Sequence, residues 1–386
     1  VRHIVADVRK RGDSALREYA RDLDGLRDPI EVSRADMRRA ARSVSREVRD
    51  GVALAARHIR TVAEQQVPKR WRVATAPGVT VQQRILPLDR VGCYVPGGRY
   101  PLPSSLLMTA IPARIAGVGE VIAVCPRPDA TVMLAALVAG VDRLLRVGGA
   151  HAVAALAYGT KTIPSVDKIV GPGNAYVAAA KTLVSRDCAI DFFAGPSEIV
   201  VVATAGHAAW IAADLLAQAE HDPDARAVLI TTSRRLADAV QAECVRQMPT
   251  IGPASAAIER HGAIIITRSL DEAIELCQLM APEHVVCDTE SVAARLTRAG
   301  TVFVGRWSAQ ALGDYVTGSN HVLPTSGAAR ARGGLSAADF VRITTVQRVT
   351  RRGLGEIGWA GAALARAEGL TAHARSIEMR LGKERS

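Results

Sequence analysis

The chain has 386 residues, 48% of them hydrophobic and 23% charged, a balance that fits a folded protein of two or three domains and excludes intrinsic disorder. No apolar run reaches the roughly 18 residues of a bilayer-spanning helix, and Val1-Arg-His-Ile-Val-Ala-Asp7 lacks a signal peptide's apolar stretch; a cytoplasmic protein is expected, although Val1 is not an initiator Met and leaves a lost N-terminal segment open. The net charge of +11 is scattered, carried almost entirely by Arg and accompanied by only 4% aromatic residues, so nucleic acid is not indicated and an anionic cofactor or small substrate suffices as partner.

In chain order, the stretch to about Gln66 reads as helices. Ser33-Arg-Ala-Asp36 resembles an N-cap, and the apolar positions from Ala40 to Val62 fall at helical spacing. A Pro- and Val-rich extended region follows. From Arg90 short β-rich runs alternate with helical segments: Val121–Cys125, Arg143–Val147, Lys168–Val170, Glu198–Val202, Ala227–Ile230, Ala263–Ile266 and Thr301–Val304. Apolar runs of that length between helices indicate parallel sheet in an α/β fold. Seven are too many for one small half-domain, and Phe193-Ala-Gly-Pro-Ser197 is a natural crossing point between two Rossmann-like sheets. After Gly334 the strands stop and Ser336 to Arg380 reads as helical apart from Gly breaks, a tail that packs on its own chain or reaches a neighbour. The six cysteines, Cys93, Cys125, Cys188, Cys244, Cys277 and Cys287, form no CxxC pair, so reduced thiols are expected, with neither a zinc finger nor a disulfide framework.

Four polar patches stand out: Gln218-Ala-Glu-His221, Pro282-Glu283-His284, Gly313-Asp314-Tyr315 with Asn320-His321, and Glu368 with His373. Gln218 and His221 lie three apart on an amphipathic helix, so both project from one face. With Asp314 and one more imidazole they make a mixed N/O donor set suited to zinc rather than to calcium or magnesium. Against this, Gln is a poor metal ligand, a His near a helix C-terminus is favoured by the dipole alone, and Asp214, Glu220 and Asp222 read as solvated charges. His321, in a Gly/Ser-rich loop, has turn hydrogen bonding as its plain role. Glu283 and His284 offer two proton-transfer groups. Adjacent strand residues face opposite ways, so the pair serves one centre only where the backbone is irregular, which Pro282 favours. Val95-Pro-Gly97-Gly98 and Val170-Gly171-Pro-Gly173-Asn174 are Gly-rich turns between a β run and a helix, able to hold a pyrophosphate or simply to turn.

Several separate stretches together resemble the histidinol dehydrogenase family, zinc enzymes of the last steps of histidine biosynthesis. They are Val91-Gly-Cys-Tyr94-Val-Pro-Gly-Gly98, Lys168-Ile-Val-Gly-Pro-Gly-Asn174, Ala194-Gly-Pro-Ser197-Glu198, Leu216-Ala-Gln218-Ala-Glu-His221, Ala281-Pro-Glu283-His284, Gly313-Asp314-Tyr315 through Asn320-His321-Val-Leu-Pro-Thr325, and Glu368-Gly-Leu-Thr-Ala-His373. The likeness covers essentially the whole chain in the family's order. It implies one zinc per subunit held by Gln218, His221, Asp314 and His373, with Glu283 and His284 as the catalytic proton acceptors. Substrate contacts are implied for Ser197, Gln218, His221, His284, Asp314, Glu368 and His373, and NAD contacts for Tyr94, His151 and Asn174. At His151 the family usually has Gln, whose donor and acceptor together an imidazole cannot reproduce.

The resemblance also implies a homodimer whose tail residues complete the partner's site. The expected division is a discontinuous α/β domain of residues 1–93 and 198–334 carrying most of the metal site, an inserted Rossmann-like cofactor domain of 94–197, and a helical dimer-exchange tail of 335–386. The expected reaction is the four-electron oxidation of L-histidinol to L-histidine. The runs Gly98-Arg-Tyr-Pro-Leu102 and Gly333-Gly334-Leu335 resemble relatives that oxidise other alcohols, such as sulfonated diols, and a non-enzymatic metal-binding protein is the further alternative.

Overall fold

A computed structural model describes residues 1–97, 101–193 and 195–382. Gly98, Arg99, Tyr100 and Ala194, which belong to motifs quoted above, lie outside the described residues. The chain forms two compact units, one of Val1–Gln66 with Leu88–Phe340 and one of Val67–Pro87 with 341–386.

The larger unit holds two sheets. The six strands of the first run in the order Glu31–Val32, Arg143–Leu145, Glu120–Val124, Arg90–Tyr94, Lys168–Val170 and Ala189–Ile190, all parallel except the short antiparallel edge at Glu31–Val32. The five strands of the second, Gly262–Ile266, Arg226–Thr231, Glu198–Val202, His284–Cys287 and Thr301–Val304, are parallel throughout. All seven predicted runs are strands in this mixed α/β fold. Val121 to Val124 and Ile199 to Val202 are buried on both faces, which is why they read as unbroken apolar runs. The chain passes from the first sheet to the second at the predicted crossing, between Ala189–Ile190 and Glu198–Val202.

The N-terminal helices form as expected. Ser33 Oγ accepts from the Asp36 backbone N–H at 3.0 Å and caps Arg34–Arg42. The long apolar stretch is split, however, with a second helix at Arg46–Gln66. Glu31–Val32 and Arg90–Tyr94 belong to the first sheet, and Arg2–Arg11 and Asp13–Asp24 bury Val5, Val8 and Leu16 against Gly149–Tyr158, in one core with Ile122 and Val124. All six cysteines are free and buried, and burial pushes the Cys93, Cys125, Cys188 and Cys277 thiols up to about 12, so they are inert packing residues. Among the described residues no helix is long and apolar enough to cross a membrane.

The smaller unit corrects the reading of the tail. Strands do not stop at Gly334: Val341–Val349 pairs antiparallel with Val79–Pro87, which pairs with Trp71–Ala76. Val341, Ile343, Thr345 and Val349 fall at alternate positions, so a period of two with β-branched side chains outweighs helix propensity there. Helices follow only at Arg351–Ala367 and Thr371–Arg380. Gly78, at φ 80°, forms the hairpin turn, and a Cβ there would collide with Thr350, the residue whose hydroxyl caps the first of these helices.

Candidate active site

Glu283 and His284 stand at the amino end of the second sheet. Ala281 (φ 48°) and Pro282 end the preceding helix, Glu283 precedes the strand, and His284 is its first residue. The predicted irregularity is therefore present, and it brings the two side chains together, with His284 Nδ1 3.7 Å from Glu283 Oε2. One neighbouring residue addresses both: the Glu198 backbone N–H donates to Glu283 Oε2 at 2.9 Å, and the Glu198 carbonyl lies 3.2 Å from His284 Nδ1. A carbonyl only accepts, so Nδ1 carries the proton and Nε2 bears the free lone pair. That Nε2 lies 3.8 Å from Asp314 Oδ1.

Burial dominates the electrostatics. It pushes the His284 imidazole down to about 4, against the pull of the Asp314 carboxylate, and so keeps the ring neutral and able to accept a proton. Burial also raises the Glu283 carboxyl well above the ordinary range; the Glu198 N–H opposes this, and the Asp314 and Glu198 carboxylates add to it. Two groups with opposed shifts side by side make a candidate proton-transfer site.

The helix Ala208–Ala219 carries Gln218, 1% exposed, near its end, and His221 just beyond it. Gln218 Oε1 is buried without any hydrogen-bond partner. His221 turns Nδ1 toward its own helix carbonyls, 3.1 Å from Ala217 O and 3.3 Å from Gln218 O, which leaves the Nε2 lone pair for a donor or a metal ion. Asp314 comes from the Gln310–Tyr315 helix, which packs against Ala208–Ala219. Asp314 acts on both His284 and His321, and each of these rings is also lowered by His221, so the four groups lie within electrostatic reach of one another. Among the described residues no group of three or more His, Cys, Asp or Glu side chains is gathered as a metal cluster. The donor chemistry nonetheless fits zinc: His221 and Asp314, which both act on the His284 and His321 rings, offer an imidazole nitrogen and a carboxylate, and Gln218, three residues before His221, has an amide oxygen without a partner.

Some positioning residues went unread in the sequence. Gln310, fully buried, donates from Nε2 to Asp314 Oδ2 at 2.7 Å. His321 does more than brace a turn: Nδ1 lies 2.8 Å from the Asp314 carbonyl and Nε2 3.2 Å from Ser105 Oγ. Asp214, expected to be an ordinary solvated charge, is half-buried, and burial raises its carboxyl to about 6, with the Gln310 backbone N–H opposing. The one-turn spacing of Gln310 and Asp314 was the available signal for that pair. A main-chain contact such as that of Glu198 leaves no trace in residue type.

The expected cofactor residues gather at the carboxyl ends of the first sheet's strands, where open α/β sheets bind ligands. Tyr94, 4% exposed, accepts from the Gly149 N–H at 3.0 Å. Asn174 is exposed; its Oδ1 caps the Ala175–Val184 helix by accepting from Tyr176 and Val177, which leaves its amide N–H groups available. The turn before it is held by the buried Lys181–Asp191 pair: Asp191 Oδ2 accepts from Gly171 N–H at 2.8 Å and Lys181 donates to Gly171 O at 3.0 Å. Gly171 is at φ 111°, and a Cβ there would strike the Tyr94 carbonyl. His151 is 1% exposed, with Nε2 2.8 Å from Asp24 Oδ2, an oxygen that also accepts from Gly148 N–H. Only its buried Nδ1 is without a partner. Ser197 is half-buried just ahead of Glu198–Val202. Glu368 and His373 belong to the smaller unit, where both are exposed.

The sequence pattern of the family described as histidinol dehydrogenase matches residues 1–381. A histidinol dehydrogenase of Aromatoleum aromaticum is 45% identical over 99% of this chain and 90% of the relative. One of Geobacillus kaustophilus is 47% identical over 98% of this chain and 93% of the relative. The crystal structure of histidinol dehydrogenase from Elizabethkingia anophelis superposes with a TM-score of 0.94 at 34% identity, over 98% of this chain and 91% of that one.

Proposed function

The chain belongs to the histidinol dehydrogenase family, oxidoreductases acting on a CH–OH group in histidine biosynthesis, and on that premise we propose that it oxidises L-histidinol to L-histidine in four electrons, through bound L-histidinaldehyde, with zinc and NAD. The observation that carries the reading is the buried pair Glu283 and His284, 3.7 Å apart with opposed shifts and His284 Nε2 3.8 Å from Asp314. Gln218, His221, Asp314 and His373 would hold one zinc per subunit. Zinc, when bound, supplies a positive anchor for the nitrogens of the substrate, and NAD supplies the hydride acceptor in each of two steps.

The chain's own residues divide the proton work. His284 Nε2 takes the hydroxyl proton as the carbinol carbon loses hydride, giving aldehyde and NADH. Glu283 then accepts a proton from a water that adds to the aldehyde carbon while His284 returns its proton to the carbonyl oxygen, giving the geminal diol and a neutral imidazole. The diol loses a second hydride to a second NAD and a hydroxyl proton to His284, giving the carboxylic acid, whose remaining proton passes to solvent to leave the carboxylate. Ser197, Glu368 and the zinc-holding residues orient the substrate, and this positioning is where binding energy is used. Tyr94, Asn174 and the region of His151 form the NAD side, within a Rossmann-like first-sheet domain.

We further infer a cytoplasmic homodimer in which the tail's Glu368 and His373 complete the partner's site. The exposure of Ile343, Trp359, Leu364 and Met379 on the smaller unit supports this, because so much apolar surface on one small unit marks an interaction face. His373→Ala should lose zinc and activity together. Mixing inactive His373→Ala chains with inactive His284→Ala chains should restore part of the activity, since one site of each mixed dimer has all its residues. No recovery after verified subunit exchange would place His373 in its own chain's site.

A further inference from the structure

Gln310 begins the Gln310–Tyr315 helix one turn ahead of Asp314, and the two side chains share a face. It is 0% exposed, an unusual place for a primary amide. Its two polar ends fare differently. One atom lies 2.7 Å from Asp314 Oδ2, and because a carboxylate oxygen only accepts, that atom is the amide nitrogen. The other, Oε1, is buried with no partner. Leaving a buried acceptor unsatisfied is destabilising, so packing alone is better served by an apolar side chain of the same shape.

Asp314 is held at several points, and the points differ. Its main-chain oxygen meets His321 Nδ1 at 2.8 Å, Oδ2 is taken by Gln310, and Oδ1 faces His284 Nε2 at 3.8 Å. A carboxylate with both oxygens free can rotate, chelate an ion through both, or turn fully toward His284. The Gln310 bond to Oδ2 fixes the carboxylate's rotation with Oδ1 turned toward His284. Gln does this without adding charge to a region that already contains Glu283, Glu198 and Asp314.

We propose that Gln310 is the positioning residue that orients Asp314 for zinc, by occupying Oδ2 and presenting Oδ1; the proposal rests on the reading of Asp314 as a zinc ligand. Residues that hydrogen-bond a metal's ligands set its affinity, and their loss weakens binding by roughly 10–100-fold.

The test is chelator competition for zinc on Gln310→Met and Asp314→Asn beside the parent, together with thermal unfolding of each metal-free protein. Met keeps the shape and removes the partnerless oxygen, so the metal-free Gln310→Met protein should unfold no earlier than the parent while its zinc affinity falls by roughly 10–100-fold. If its zinc affinity equals the parent's while Asp314→Asn loses zinc, the proposal is overturned and Gln310 is a packing residue. If Asp314→Asn itself binds zinc as tightly as the parent, the ligand assignment fails, and the proposal with it.

Discussion

Histidinol turnover should fall by about 10²–10⁴-fold on replacing His284 with Asn, the range expected for loss of a positioned general base. Asn is the informative substitution because its amide N–H can still donate to the Glu198 carbonyl that now lies 3.2 Å from Nδ1. What it removes is the lone pair on Nε2, beside Asp314 Oδ1. Steady-state kinetics with L-histidinol checks the result, and the loss should fall on kcat far more than on KM. A second readout is independent of turnover. The folded protein binds a proton at His284 only near pH 4, whereas the free side chain does so near 6.5. The unfolded state therefore binds more protons between those values, and stability of the metal-free protein should rise with pH through that window. In His284→Asn that part of the rise should vanish. Parent-like turnover would remove His284 from the chemistry.

Glu283→Gln should separate the two half-reactions. Gln keeps the volume and the oxygen that accepts from the Glu198 N–H at 2.9 Å, but it cannot take a proton from water. Supplied with L-histidinaldehyde, the variant should lose about 10²–10⁴-fold of the parent's rate, with a much smaller loss for the oxidation of L-histidinol to the aldehyde. Rapid-quench measurement of each half-reaction checks this. Equal losses in both would contradict the division of labour between Glu283 and His284.

The parts of the fold that were legible share a physical cause. Strands such as Glu198–Val202 are covered on both faces, so Ile199 to Val202 are apolar at every position and cannot be mistaken for a solvated helix. Val341–Val349 was misread because it is mostly exposed and carries Arg, Thr and Gln between its apolar residues; its partner strand, some 260 positions earlier, decides its conformation. The site divides the same way. Gln218 with His221, and Glu283 with His284, are close in sequence, and local geometry links each pair. The Glu198 main chain, which meets both Glu283 and His284, could be any residue type. His151 could not be placed from its surroundings in the chain, because the Asp24 that holds it lies in another helix.

The most direct test of the central claim is the number of NADH formed per L-histidinol consumed by the zinc-loaded protein, before and after chelation. Two NADH per histidinol, abolished by the chelator and restored by zinc, is the predicted result. One NADH with free aldehyde released, or no turnover of histidinol by protein that holds one zinc per chain, would contradict the four-electron reading.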